Sequence, residues 1–493
     1  MAADVDVLSP KLPTTTVATT ELRAGGMGPW SVIVQAVTHI APAMGFLTGA
    51  TFIAAQAGTG VSLAYLVAFV VCMSIGLTIV QLARHLPSAG GYFTYVSRTL
   101  SPRFGFITAW LYFLYDPTAV AINFTILGYI WQTQLKAQLG WNLPWPVLVT
   151  IGILFVSFFL YRGIRISAKT MMILACIEIT ILVAFAVTGI LMAGPGGVNT
   201  LPFQVDPKFH ISGVALGVVF AIFAFTGFEA VAPMAEETTN PRRNLPIAIV
   251  VSLLIMGAFY VFTSYGLAIG WGTSTFDHTF AGKPVGVFIT LAQRVWRDGW
   301  ILILLALLNS AFAVGISASN AATRVFFSMG RAGALPKWLG KVHPVYKTPT
   351  NAIILQMGIT TVLAYVGGLI MGPANLYYWL GIVITLGLIG VYGLGNIGVI
   401  KFYRTEHRDE FNLFWHLVIP VVSTLAIIIV GYESLQGLTG TLFWAPWFVV
   451  AWLVVGGALL LWMRRRGKEA WLLKAGEVAY ERQATPEEVQ GAL

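Results

Sequence analysis

Three carboxylates stand inside stretches of sequence that are otherwise apolar. Glu229 lies in FAFTGFEAVAPMAEETTNPRRNLP (residues 223–246), Glu178 in MMILACIEITILV, and Asp116 in LYFLYDPTAV. An ionisable side chain at membrane depth is costly, and those that persist mark substrate paths, proton relays or counter-ions. Glu229 can carry a proton, or it can bond backbone freed by the Thr226-Gly227 pair just before it. Asp116 can pair with a cationic side chain or an amine, or bond backbone freed at a kink made by Pro117. Glu178 has a coupling role or is a neutral, hydrogen-bonded core acid. His39 is read as a satisfied helix residue ahead of a proton relay.

Two interruptions would position these groups. The first apolar run contains THIAPAMGF, where Pro42 has no amide hydrogen and clashes with a carbonyl one turn back. The sixth contains FAFTGFE, where Thr226-Gly227 weakens the helix. Irregular backbone is tolerated in a bilayer only where it faces protein or a watery cavity. Breaks in the first and sixth spans are the spacing of an inverted repeat of five plus five helices, and paired breaks point to a transporter's binding site. Half-helix N-termini suit an anion, and exposed carbonyls at half-helix C-termini suit a cation.

Composition sets the class. The 493 residues are 57% hydrophobic and 10% charged, too few charges to cover a soluble protein of this size. Apolar runs long enough to cross hydrocarbon recur along the chain. They are continuous and not alternating, which excludes a β-barrel. The expected fold is all-α and integral to the membrane, with twelve spans near 30–57, 61–84, 104–133, 146–162, 168–193, 211–235, 245–271, 300–329, 350–371, 375–400, 413–433 and 443–463. Repeat one occupies about 30–193 and repeat two about 211–400, with two additional helices at about 413–463. Residues 272–299 are too polar to span and hold a short amphipathic surface helix. With the N-terminus inside, all but five of the 29 Lys and Arg fall on one side, the exceptions being Lys136, Lys208, Lys283, Arg294 and Arg297. Both termini are therefore expected in the cytoplasm: a disordered tail over 1–28 and a charged tail over 464–493, flanking a transmembrane domain at 29–463.

Other patterns carry no chemistry. GLGNIG from Gly393 fits G-x-G-x-x-G but sits in the tenth span with no preceding strand, so it reads as a packing surface. Cys72 and Cys176 lie in apolar runs as small hydrophobes. No Walker A lysine motif, HExxH or CxxC is present. No cofactor, metal or nucleic-acid partner is expected.

Three stretches bear a family resemblance: LPSAGGYFTYVSRTLSPRFGFITAW from Leu86, FTGFEAVAPMAEETTNPRRNLPIAI from Phe225, and NAATRVFFSMGRAGALPKWLGKVHPVYKTPTNA from Asn320. In that order the chain resembles the amino acid–polyamine–organocation (APC) permeases over nearly all of 29–463. The resemblance implies a LeuT-like bundle with helices 1 and 6 discontinuous, working by alternating access. It implies that amides of Ala43, Met44 and Gly45 hold a substrate carboxylate, although Pro42 donates nothing and Met44 is bulky where glycine is common. It places carbonyls of Ile40, Phe223 and Ala224 toward an amino group, beside Thr226, with the Phe223 ring as a lid. Glu178 resembles a position held in related permeases by a lysine that replaces a sodium ion. An acid there would be protonated during transport or help hold a cation with Ser317 and Ser319. Glu229 matches an acid common in the family. Glu236 and Glu237 read as surface charges or as a cytoplasmic gate with Arg84 or Arg98.

The function expected is secondary active transport of an amino acid or related amine across the plasma membrane, without enzymatic activity. Proton coupling or exchange is favoured, and sodium stays open, as does the oligomeric state. A channel or transporter-like sensor is the alternative class. Within the favoured class, Met44 and Asp116 lean toward amines or cationic substrates, including polyamines and carboxylate-free amines such as ethanolamine.

Overall fold

The computed structural model describes residues 22–275, 285–436, 438–469, 471 and 475. Among them the chain is helical, and its one bridge, Met27 to Thr238, belongs to no strand. The first half holds α1 (Pro29–Ile40), α2 (Pro42–Ala57), α3 (Val61–His85), α4 (Tyr92–Thr99), α5 (Pro102–Tyr112), α6 (Asp116–Leu139), α7 (Trp145–Arg162) and α8 (Ile164–Leu191). Then α9 (His210–Phe225) leads into a 3-10 segment, Phe228–Glu237. The second half continues with α10 (Pro241–Trp271), α11 (Gly286–Trp296), α12 (Ile301–Ala332), α13 (Thr350–Val362), α14 (Gly368–Met371) and α15 (Pro373–Thr405). Last come α16 (Ile419–Ser434) and α17 (Trp444–Arg465).

Proline sets many of these starts: α1, α2, α5, α10 and α15 each begin on one. At the first helical position its missing N–H has no partner to lose, and its fixed φ suits the helix. Ten helical stretches among the described residues are long and apolar enough to cross a membrane. The first, Pro29–His85, is 57 residues long and covers the first two expected spans. The expected third span is divided at residues 113–115 into α5 and α6 and is not among the ten. Leu154, Ile173, Ile429 and Val454 are exposed on α7, α8, α16 and α17, as apolar side chains facing lipid would be. Inside that ring, α1 and α3 pack on α10, and α2 packs on α9.

The segments beside the bundle are partly built into it. Leu22 and Met27 are buried. The Met27 amide donates to the Glu237 carbonyl at 2.9 Å, and the Thr239 amide donates to the Met27 carbonyl at 3.0 Å. Residues 22–28 of the expected tail are thus held by backbone pairing, while 1–21 lie outside the described residues. Of the 464–493 tail, Trp471 packs against Phe106 in a tilted arrangement, at 5.8 Å between rings. The helix expected in 272–299 is α11, whose Val287, Phe288 and Leu291 are buried; residues 276–284 lie outside the described chain.

The GLGNIG run lies in α15 and acts as a packing surface. A Cβ at Gly395 would come within 2.6 Å of Tyr92, and one at Gly398 within 2.5 Å of Thr99, whereas Gly393 meets nothing within 4 Å. Overpacking a tight interface costs about 1–3 kcal/mol. Gly395→Val is therefore expected to lower the Tm of the purified protein, while Gly393→Ala leaves it unchanged; a thermal melt of the two variants checks this.

Candidate substrate-binding site

The first helix breaks at one residue. α1 ends at Ile40, Ala41 adopts φ 57° and ψ 73°, and α2 starts at Pro42. A residue before proline is pushed out of the helical region by the ring, and here it is pushed into the left-handed one. Pro42 thereby stops one helix and starts the next.

The amides after the break have partners inside the protein. Ala43 donates to Glu178 Oε2 at 3.1 Å, Met44 donates to Ser310 Oγ at 3.1 Å, and Gly45 donates to the Ala41 carbonyl at 2.8 Å. The Ser310 hydroxyl also interacts with Glu178. The resemblance had these three amides waiting for a ligand carboxylate. Instead the Gly45 bond is the first regular bond of α2, and side chains from α8 and α12 take the other two. Glu178 sits against the positive end of α2, a favourable place for a carboxylate.

The second break is wider. α9 ends at Phe225, Thr226 is extended with ψ 144°, and Gly227 has φ 118°. Only glycine fits, because a Cβ at Gly227 would lie 2.5 Å from the His39 ring. The Phe223 carbonyl accepts from Thr226, at 3.2 Å from the amide and 2.8 Å from the hydroxyl. The Gly227 amide donates to Glu229 Oε2 at 3.1 Å. Glu229 therefore does bond backbone freed by the break.

A residue that sequence reasoning missed joins the two breaks. The Tyr260 hydroxyl, from α10, donates to the Ala224 carbonyl at 3.0 Å and lies 3.4 Å from the Ile40 carbonyl. Gly45 makes room for it, since a Cβ there would come within 2.5 Å of the hydroxyl. Tyr260 sits in an apolar run with no flanking motif, so no sequence signal marked it.

A cavity of about 80 Å³ lies between the breaks. Of the residues expected to bind substrate, Ile40, Met44, Gly45, Phe223, Ala224 and Thr226 line it. His39, Thr48, Tyr115, Asn123 and Tyr377 supply further polar groups. Ala43 and Asp116 are buried behind this lining, as are Glu178, Glu229, Ser317 and Ser319. A second cavity of about 350 Å³ shares Thr48, Gly49, Phe220, Phe223 and Tyr377 with the first and extends to Glu433 and Leu442. Phe223 thus stands where the two meet.

The acids divide by partner. Asp116 is in the first turn of α6, and its Oδ1 lies 3.0 Å from His39 Nε2, both side chains being buried. Its ionisable neighbour is thus this imidazole. Ser317 and Ser319 were expected beside Glu178, but the α12 hydroxyl found there is Ser310, seven residues or two turns before Ser317. The Ser317 carbonyl instead accepts from Gln35 Nε2 at 2.8 Å, and its hydroxyl donates to Val314.

Glu237 is buried and Glu236 half-buried, and the ion pairs they make are with arginines of α12. Arg324 Nε donates to Glu237 Oε2 at 2.7 Å with both side chains nearly inaccessible, and Arg331 Nη1 donates to Glu236 Oε2 at 2.8 Å. Arg98 pairs with Glu406. The arginines stand inside and at the end of α12, far from the glutamates in sequence. Asn320 and Thr323 also accept from Arg324, so its charge is well surrounded.

A family model described as amino acid permease matches residues 31–471. The chain belongs to the amino acid permease family. This permease is a membrane transporter of the APC class and not an enzyme. It is 26% identical to a low-affinity putrescine importer of Escherichia coli (strain K12), over 74% of this chain and 78% of that one. It is 29% identical to a branched-chain amino acid permease of Bacillus subtilis (strain 168), over 76% and 80%. A methylthioribose transporter of the same organism is 25% identical, over 83% and 87%.

Removing one partner of a buried pair leaves an uncompensated charge, which costs about 3–5 kcal/mol. Arg324→Met is therefore expected to destabilise the permease strongly. The double variant Arg324→Met/Glu237→Gln is expected to recover much of the loss. Melts of the wild type, the single and the double variant form the test.

Proposed function

We propose that the permease is a secondary active transporter that moves an amino acid or related organic amine across the plasma membrane by alternating access. The single observation behind this reading is the cavity enclosed by two interrupted helices, where backbone dipoles and polar side chains meet halfway along the bundle. The relatives named for putrescine and for branched-chain amino acids support that substrate range. The architecture proposed is twelve spans in two inverted repeats, about 30–193 and 211–400, followed by two helices at about 413–463, with helices 1 and 6 discontinuous. Both termini are placed in the cytoplasm on the Lys and Arg distribution.

In that orientation the wider cavity opens outward at Glu433 and Leu442. The Glu237–Arg324 and Glu236–Arg331 pairs then tie the segment after the second break to α12 on the inner side. The described conformation is outward-facing with the cytoplasmic path shut. A channel would need a continuous polar lining, whereas the wider cavity is mostly aromatic and aliphatic. Coupling to protons or exchange is proposed on the buried acids Asp116, Glu178 and Glu229.

Uptake into proteoliposomes tests the reading. Saturable accumulation above the external concentration, abolished by collapsing the ion gradient or removing internal exchange substrate, is expected. Linear, gradient-independent flux would point to a channel. The Phe223 ring at the junction of the cavities covers bound solute in this scheme. Burying an aromatic side chain contributes about 1.5–3 kcal/mol, so Phe223→Ala is expected to raise the uptake KM about tenfold or more.

A further inference from the structure

We infer that Glu178 occupies the anion-binding position of this permease, so that the solute it carries is an organic amine without a carboxylate. The inference rests on the transport reading and narrows its substrate class.

The N-terminus of a half-helix inside a bilayer holds unpaired amides and a positive dipole end, and it is the natural seat for an anionic group of a ligand. Here the seat is filled. Glu178 Oε2 accepts from the Ala43 amide, Ser310 Oγ accepts from the Met44 amide, and the Gly45 amide is consumed within α2. A ligand carboxylate would have to displace a buried carboxyl group of the protein, leaving that group without its amide partner.

The rest of the cavity offers an anion no permanent cation: among the described residues, no lysine or arginine lines either cavity. Arg324, buried in α12, is already held by Glu237, Asn320 and Thr323. The ionisable side chains around the breaks are mostly acids: Asp116, Glu178 and Glu229 are all fully or almost fully buried, with His39 as the basic side chain among them. An ammonium group entering this region can be met by a carboxyl group, whereas an added carboxylate finds more acids than bases. Carbonyls have a second lone pair, so those of Ile40 and Ala224, which share the Tyr260 hydroxyl, can still accept from an ammonium group.

Matched pairs that differ only in the carboxylate test this. The purified full chain is titrated with putrescine and ornithine, isoamylamine and leucine, ethanolamine and serine, and the thermal shift is read for each. At least one amine is expected to raise the Tm, at a concentration tenfold or more below any at which its parent amino acid does. Glu178→Gln, whose side-chain oxygen still reaches Ala43, is expected to keep that order. Glu178→Ala, which frees the amide and removes the carboxyl group, is expected to shift the preference toward the amino acid by about tenfold. Should Glu178→Ala not fold, the wild-type pairs decide alone. An amino acid that binds the wild type as well as or better than its decarboxylated partner overturns the inference and leaves the transport reading intact. No shift with any member of the pairs, together with no uptake in proteoliposomes, overturns both.

Discussion

A bilayer offers no hydrogen bonds, so every backbone group released by a helix break must be met by the protein or by a solute. The structure around the two breaks is governed by that requirement. At the first, Glu178 and Ser310 reach in from α8 and α12 to the released amides. At the second, Thr226 and Glu229 fold back on their own segment, and Tyr260 answers the carbonyls of both. The helices that carry these side chains are thereby fixed around one small space. The cavity exists because the side chains satisfy the backbone without filling the gap between the two half-helices.

Charge is handled by the same logic at two depths. Beside the breaks the acids Asp116 and Glu229 sit against an imidazole and a backbone amide, neither of them a full ion-pair partner. At the end of the 3-10 segment, Glu236 and Glu237 meet two arginines of α12 in full ion pairs. A buried pair of this kind adds little net stability over an apolar contact, but it is intolerant of losing one member. It therefore defines which segment docks on which helix, and separation of the two requires both charges to find other partners. Met27, near the N-terminus, donates its amide to the carbonyl of the same Glu237, so three parts of the chain converge at that point.

Family membership fixes the general plan but not the chemistry of the breaks. The permease keeps the interrupted helices and replaces the expected open turn by Ala41-Pro42, with bulky Met44 following. Glu178 accepts from the Ala43 amide just after that turn. A turn with fewer available donors and an acid placed over the remaining amide form one arrangement, and the two features are understood together.

Much was legible in the residues themselves. Long apolar runs require helices in lipid, Pro42 cannot donate, and Thr226-Gly227 weakens a helix. The break positions follow from those local facts, whereas the cavity-lining Ile40, Met44, Gly45, Phe223 and Ala224 were what the family resemblance implied. Glu229 bonding its own freed backbone was readable for the same reason, since the partners are two residues apart. Where partners are distant, the sequence was silent. Tyr260 lies 36 residues from Ala224, and Arg324 lies 87 from Glu237. Ser310 was passed over for Ser317 because the two lie on nearly the same face of α12, two turns apart, and only the packing of α8 on α12 decides which of them meets Glu178. Covalent order determined where the backbone must break; only packing of helices remote in the chain decided which side chains answer the break, because hydrogen bonds act over a few ångströms of space and take no account of separation along the chain.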